Sequence, residues 1–154
     1  MAWTLKISNM SATALLDTGS KRDPQDPMLQ VAVGTGAPQA TERNKDTGTS
    51  GKWSESFSYT INENAFNANE QLEITANNQG YFGGFTLIGK GHISVKELIG
   101  SQFNCPVKAS IALSQPKAAD AGIVDIVAQL DIPAEDLARL SSTDTGVEEE
   151  KAPE

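Results

Sequence analysis

The sequence predicts an all-β fold: an eight-stranded antiparallel Greek-key β-sandwich, followed by a short C-terminal helix and an acidic tail. Apolar and polar residues alternate at a period of two through most of the chain, which is typical of strands with one face in a core. Clusters of Gly, Pro, Asn, Asp and Ser separate these segments and favour turns. At 154 residues the chain is long enough for one domain.

Six segments alternate clearly, and the spacing of turn clusters between them is typical of a sandwich or barrel. The residues expected on their inner faces are Trp3, Leu5 and Ile7; Leu29, Val31 and Val33; Trp53, Phe57, Tyr59 and Ile61; Leu72, Ile74 and Ala76; Val107, Ala109, Ile111 and Leu113; and Val124, Ile126, Ala128 and Leu130. Glu55 interrupts the third segment. Weaker strands near 37–43 and 86–93 complete the predicted eight.

Helix is scarce in this sequence. Ser94 and Glu97 have the spacing of a capping box, and Gly100 follows where a helix could end, so a single turn is predicted over 95–99. Residues 133–140 are predicted to form a short closing helix with two leucines on one side.

The end of the sequence differs in composition from the rest. Residues 141–154 carry five acids, one base and almost nothing apolar, which predicts a disordered acidic tail. The predicted organisation is therefore a sandwich over 1–132, a helix over 133–140 and a tail over 141–154.

Charge and cysteine content argue against one class of partner and indicate a cellular compartment. Twelve basic and twenty acidic residues give a net charge of −8, and no stripe of Lys and Arg is present to neutralise phosphates, so we expect no nucleic-acid partner. Cys105 is the single cysteine, which suits a reducing compartment. We see neither a signal peptide nor an apolar run of membrane-spanning length. These features predict a cytoplasmic protein, with peripheral membrane or cytoskeletal association left open.

Several segments, in order, resemble C2 domains. The stretch Asp26-Pro27-Met28-Leu29-Gln30-Val31-Ala32-Val33-Gly34 is similar to the "DPYVxVxxG" motif of that family, and Gly51-Lys52-Trp53-Ser54-Glu55-Ser56-Phe57 is similar to its "NPxWNExFxF" segment. Leu87-Ile88-Gly89, Ile93-Ser94-Val95-Lys96-Glu97-Leu98 and the Gly122-led last strand match later motifs. The resemblance runs over residues 3–130 and implies a cytosolic C2-like sandwich that docks on phospholipid, often through calcium, or binds proteins.

The resemblance implies a calcium site made chiefly of Asp side chains from the first and third loops, because calcium prefers carboxylate oxygens. The first loop keeps Asp17, Asp23 and Asp26, whereas the third loop offers only amides such as Asn78. We therefore expect no required cofactor and at most weak calcium binding at these four residues. The alternative, which we favour for the three acids, is that they form turns.

Two surfaces are candidate contacts. Aromatic residues stand among glycines in the third loop, where they favour a lipid or protein contact, although Phe85 could instead begin the next strand and pack inside. These residues are Tyr81, Phe82 and Phe85. Arg43, Lys45 and Lys52 could form a small basic patch of the kind that some C2 domains use for phosphoinositides. Nearby acids make a solvated face the favoured interpretation.

No pattern points to catalysis. His92 is the single histidine, and Cys105 lacks a recognisable catalytic partner. We favour a non-enzymatic, calcium-independent or weakly calcium-binding module that binds another protein as an adaptor or scaffold component. The alternative is a peripheral membrane module that binds phospholipid with calcium at the first loop and aromatics of the third. An enzyme is the least favoured hypothesis.

Overall fold

Antiparallel strands account for most of the fold. A computed structural model describes residues 2–20, 22–80 and 84–140. The strands in this part of the chain are β1 (Ala2–Thr13), β2 (Pro27–Val33), β3 (Gln39–Ala40), β4 (Gly51–Trp53), β5 (Phe57–Asn62), β6 (Gln71–Gln79), β7 (Phe85–Ser94), β8 (Val107–Gln115) and β9 (Ala118–Asp131). The helices are α1 (Glu63–Asn67), α2 (Val95–Ile99) and α3 (134–140).

The strands form two layers. The first sheet has the order β3-β2-β6-β7, and the second has the order β8-β9-β1 with β4 and β5 both on the free side of β1. Lys90 of β7 pairs with Ser114 of β8 where the sheets meet. Because β6 lies beside β2 and β9 lies beside β1, the arrangement is a Greek key.

The predicted count of eight strands is confirmed once the short strands are compared with their neighbours. β4 pairs with the end of β1, and β5 pairs with its beginning. They are two halves of one strand, broken at residues 54–56. The break contains Glu55, which interrupts the alternation in the sequence.

Two local expectations need correction. The strand predicted near 37–43 is only two residues long, Gln39–Ala40. At Thr41 the N–H still donates to the Leu29 carbonyl, but the Thr41 hydroxyl accepts the Leu29 N–H in place of the backbone carbonyl, and the regular pairing ends. Helix α1 was not expected. It forms because the Asn62 side chain caps the Ala65 N–H at 2.8 Å and Phe66 is buried beneath it.

The other two helices agree with expectation. In α2, Ser94 Oγ accepts the Glu97 N–H at 3.0 Å, and Gly100 ends the helix with a φ of 62°. Helix α3 covers residues 134–140 of the predicted 133–140. Its Leu137 and Leu140 pack against the core.

An aromatic cluster and one ionic network fix α3 to the sandwich. The rings of Trp3, Phe66 and Phe103 lie 5.5–6.0 Å apart, in edge-to-face and tilted contacts. The Trp3 Nε1–H donates to Asp136 Oδ2 at 2.9 Å, and this hydrogen bond is the main reason that the pKa of Asp136 is lowered. Arg139 binds both carboxylate oxygens of Glu63. The closing helix is therefore docked on the core.

The sheets approach closely where β7 meets β8, and glycine makes this possible. A Cβ atom on Gly91 would collide with the backbone carbonyl oxygen of Ala112, and one on Gly89 would lie 2.6 Å from the Ala121 Cβ. The Ala112 carbonyl can give way only by a shift of β8. The close contact of β7 with β8 and β9 thus requires glycine at positions 89 and 91.

One tyrosine bridges the sheets. The Tyr59 hydroxyl, from β5, donates to the Val31 carbonyl oxygen of β2 at 2.8 Å. Burial of this ring raises its pKa from 10.0 to about 12, because the interior disfavours the phenolate.

Gly91→Ala is expected to destabilise the fold by about 1–3 kcal/mol, since overpacking must displace β8. Urea unfolding of the full chain measures this loss. Gly84→Ala is the matched control, because a Cβ there would meet no atom within 4 Å. Equal stability of the two variants would contradict the close approach.

Tyr59→Phe is expected to cost about 1 kcal/mol of unfolding free energy through loss of one hydrogen bond. The raised pKa means that the contribution of the neutral phenol is fully present below pH 10.0 and is lost as pH rises toward about 12. Ultraviolet titration should show one tyrosine ionising near 12 in the wild type and none there in the variant. A wild-type protein whose two tyrosines both ionise near 10 would disprove the burial of this ring.

Candidate functional site

Three loops meet at one end of the sandwich, which we call the loop end. Loop 1 (14–26) joins β1 to β2, loop 2 (41–50) joins β3 to β4, and loop 3 joins β6 to β7. Backbone hydrogen bonds link loop 1 to loop 2, from Leu15 N to Thr49 O and from Gly48 N to Gln25 O. A third, from Gln79 N to Asp26 O at 3.1 Å, links loop 1 to the end of β6.

Gln25 is the polar centre of loop 1, and only 1% of it is exposed. Its Oε1 accepts both the backbone N–H and the hydroxyl of Thr18. Its Nε2 donates to the carbonyl oxygens of Leu16 and Gly48. Sequence reasoning missed this residue, because one Gln in a polar segment has no periodic signal that would mark it as buried.

Asp26 is the buried charge of the loop end, with 5% of the residue exposed. Its Oδ2 lies 3.1 Å from Arg43 Nη1, and its Oδ1 accepts the Asp46 N–H at 2.7 Å. Its own N–H donates to Asn78 Oδ1 at 2.8 Å. The structure thus brings together two of the predicted calcium ligands, Asp26 and Asn78, with their oxygens bonded inside the protein.

The other two predicted ligands form turns. Asp17 is exposed, and its Oδ1 accepts the Gly19 N–H at 2.9 Å, which is an Asx-turn. Asp23 donates its backbone N–H to Ser20 Oγ and accepts the Ser20 N–H at its carbonyl. The Asp17 carboxylate thus closes a turn, whereas Asp23 takes part in one through its backbone.

A hollow of about 340 Å³ lies between loops 1 and 2. It is lined by Arg22, Asp23, Pro24, Asp26, Arg43, Lys45 and Asp46. Within the described ranges no three His, Cys, Asp or Glu side chains converge as metal ligands. Calcium requires six to eight oxygens, so the residues of this hollow do not fit a calcium site.

The predicted basic patch is divided. Arg43 and Lys45 line the hollow together with Arg22, whereas Lys52 lies with Arg43 along a second hollow beside Glu55. The sequence analysis did not select Arg22. Three acids share the first hollow with its three bases, so the surface has mixed charge.

Of the predicted aromatic contacts, Tyr81 and Phe82 lie outside the described residues. Phe85 is the first residue of β7, as anticipated, but it does not pack inside: 60% of it is exposed. Leu87, two residues on and therefore on the same face, is 36% exposed. A bulge is responsible, because Gly89 pairs with Ala76 while Leu87 pairs with Asn77, which leaves one extra residue in β7.

The hairpin that carries these side chains is free of charge. Residues 74–89 contain no Asp, Glu, Lys or Arg, although 21% of the whole chain is charged. We call this segment the uncharged hairpin. Glu73 and Lys90 flank it, and their side chains lie 3.8 Å apart. The two charges that border the hairpin therefore compensate each other.

The fold and the loop end now allow comparison with known proteins. The family model for the C2 domain matches residues 3–108, about two thirds of the chain. The chain belongs to the C2 domain family. No curated protein sequence matches it. The C2A domain of plant Extended Synaptotagmin 1 has a similar structure at 12% identity, with a TM-score of 0.72 over 85% of this chain and 95% of that one.

Two further structures share the fold. A C2 domain-containing protein from a putative elicitor-responsive gene is 18% identical, with a TM-score of 0.59 over 85% of this chain and 89% of its own. Human GIVD cytosolic phospholipase A2 is 15% identical, with a TM-score of 0.67 over 86% of this chain but 17% of its own. At these identities the likeness shows the fold alone.

Membership of the family has a general functional meaning. C2 domains are non-catalytic modules that commonly mediate lipid and protein interactions. None of the helices in the described ranges is both long and apolar enough to cross a bilayer.

Gln25→Leu is expected to destabilise the domain by about 1–3 kcal/mol, because it leaves buried partners without hydrogen bonds. It should also speed hydrogen exchange at the Thr18 amide, which loses its acceptor. Gln102→Leu is the control, since that side chain is exposed. An unchanged exchange rate at Thr18 would show that Gln25 does not hold loop 1.

Proposed function

We propose that this C2 domain is a non-enzymatic, calcium-independent module that binds another protein in the cytoplasm, as an adaptor or scaffold component. The observation that carries the proposal is the exposure of Phe85 and Leu87 on the uncharged hairpin. Aromatic side chains are enriched and charges are depleted at the centre of protein interfaces. We include Tyr81 and Phe82 in the proposed contact because they belong to the same hairpin.

Charge favours a protein partner over an anionic membrane. The chain has a net charge of −8, and the cations of the first hollow stand beside Asp23, Asp26 and Asp46. Each base near an anionic bilayer contributes about 1 kcal/mol to attraction, and acids beside it cancel that gain. An apolar protein surface does not require such attraction.

Independence from calcium has separate support. The Asp26 carboxylate is bonded to Arg43 and to the Asp46 N–H, and the Asn78 oxygen is bonded to the Asp26 N–H. The uncharged hairpin supplies no carboxylate from loop 3. Each of these features lowers the charge and the number of oxygens available to a calcium ion.

A peripheral membrane module is the second candidate. The exposed Phe85 favours it, because an aromatic at the end of a strand can enter a lipid interface. In that case, weak calcium binding at Asp17, Asp23 and Asp26 would recruit phospholipid, and the mixed hollow would face the bilayer.

A photo-cross-linking residue placed at Phe85 in the full chain is expected to capture a cytosolic protein. The same residue at Ile123 is the control, because that side chain is also apolar and exposed but lies on β9. In parallel, the wild type is sedimented with anionic liposomes in millimolar calcium and in chelator. We expect no pelleting in either condition.

The outcomes separate the two candidates. A protein adduct at position 85 that is absent at position 123 and is lost with Leu87→Ser supports the protein-binding proposal. Calcium-dependent pelleting that disappears with Asp17→Asn and Asp26→Asn contradicts it and supports the membrane candidate. Equal cross-linking at positions 85 and 123 also contradicts the proposed contact surface.

A further inference from the structure

We infer that Arg43 is the resident cation of the loop end, by which we mean that its guanidinium group neutralises Asp26 in place of a metal ion. The loops therefore keep their conformation without calcium. This inference rests on the calcium-independent part of the proposed function. It does not depend on which partner the uncharged hairpin binds.

The burial of Asp26 is the first step. A carboxylate in a low-dielectric environment requires a counter-charge and hydrogen bonds to remain ionised. Arg43 Nη1 supplies the charge at 3.1 Å, and the Asp46 N–H supplies a hydrogen bond at 2.7 Å. Each carboxylate oxygen thus has a donor.

The second step is the position of Asp26 among the loops. Its carbonyl oxygen accepts the Gln79 N–H, and its N–H donates to Asn78, so its backbone belongs to the start of the β2–β6 pairing. Its carboxylate holds Asp46, whose φ of 57° lies in the left-handed region that non-glycine residues seldom adopt. Residues 43–46 of loop 2 therefore wrap around this one carboxylate.

Guanidinium chemistry suits this place better than calcium does. Arginine is always charged and is weakly hydrated, so its contact through Nη1 supplies the counter-charge, while the Asp46 N–H satisfies the other carboxylate oxygen. Calcium would need several more oxygens, and the uncharged hairpin provides no carboxylate.

The test compares Arg43→Gln with Arg22→Gln in the full chain. Both changes remove one positive charge from the same hollow, but the Arg22 side chain has no hydrogen bond or ion pair among the described residues. Thermal unfolding of the wild type and both variants is measured in chelator and in millimolar calcium. Two further proteins carry Asp26→Asn alone and Asp26→Asn together with Arg43→Gln.

Arg43→Gln should unfold at a lower temperature than Arg22→Gln, both in chelator and in millimolar calcium, because it leaves a buried carboxylate without its counter-charge. In the Asp26→Asn background the same change should have a smaller effect, since the charge that Arg43 neutralises is gone. Calcium stabilisation of the wild type would overturn both the inference and calcium independence.

A second result would overturn the inference alone. If Arg43→Gln is as stable as Arg22→Gln in chelator, or if it is equally destabilising with and without Asp26→Asn, Arg43 does not serve as the cation of the loop end. Calcium independence would then stand on the poor ligand set of loop 3. Loss of cross-linking at position 85 would affect only the proposed partner contact.

Discussion

The loop end depends on one buried charge. Asp26 stands where loop 1 enters β2, and it is bonded through its backbone to β6 and through its carboxylate to loop 2. Because a charge in this environment must be neutralised, the identity of its counter-ion determines whether the loop end needs a metal ion. This chain supplies that counter-ion from its own loop 2, as Arg43. We infer that contacts within this chain hold the loops in place without a diffusible ion.

The uncharged hairpin and the residues that flank it also carry no net charge. Sixteen consecutive residues, 74–89, carry no formal charge, and the flanking Glu73 and Lys90 compensate each other. The bulge in β7 then turns Phe85 and Leu87 outward. The loop end thus combines a hollow whose acids and bases balance with exposed apolar side chains. Both features support the proposal of a protein partner.

The sequence predicted the scaffold well because alternation is a local signal. Trp3, Leu5 and Ile7 mark a strand whatever surrounds them, and the capping box at Ser94 marks a helix start within four residues. The prediction failed where distant partners decide the outcome. The strand near 37–43 ends early because Thr41 binds the backbone of Leu29, and helix α1 depends on a buried site for Phe66.

The sequence predicted which residue types the candidate site contains, but not which of them bond to each other. It shows directly that loop 3 lacks carboxylates and that loop 1 contains Asp residues. The ion pair between Arg43 and Asp26, seventeen residues apart in the chain, depends on how loops 1 and 2 fold together. The burial of Gln25 depends on the same arrangement. The exposure of Phe85 likewise depends on a bulge, which has no clear sequence signal.

The most direct test of this account is a calcium titration of the wild-type chain followed by amide NMR. The account predicts that the amide resonances of Asp26, Asp46 and Gln79 stay unchanged up to millimolar calcium, because Arg43 already neutralises the Asp26 carboxylate. That carboxylate accepts the Asp46 N–H, and the Asp26 backbone carbonyl accepts the Gln79 N–H. Saturable shifts of these three amides, absent with Asp26→Asn, would contradict it.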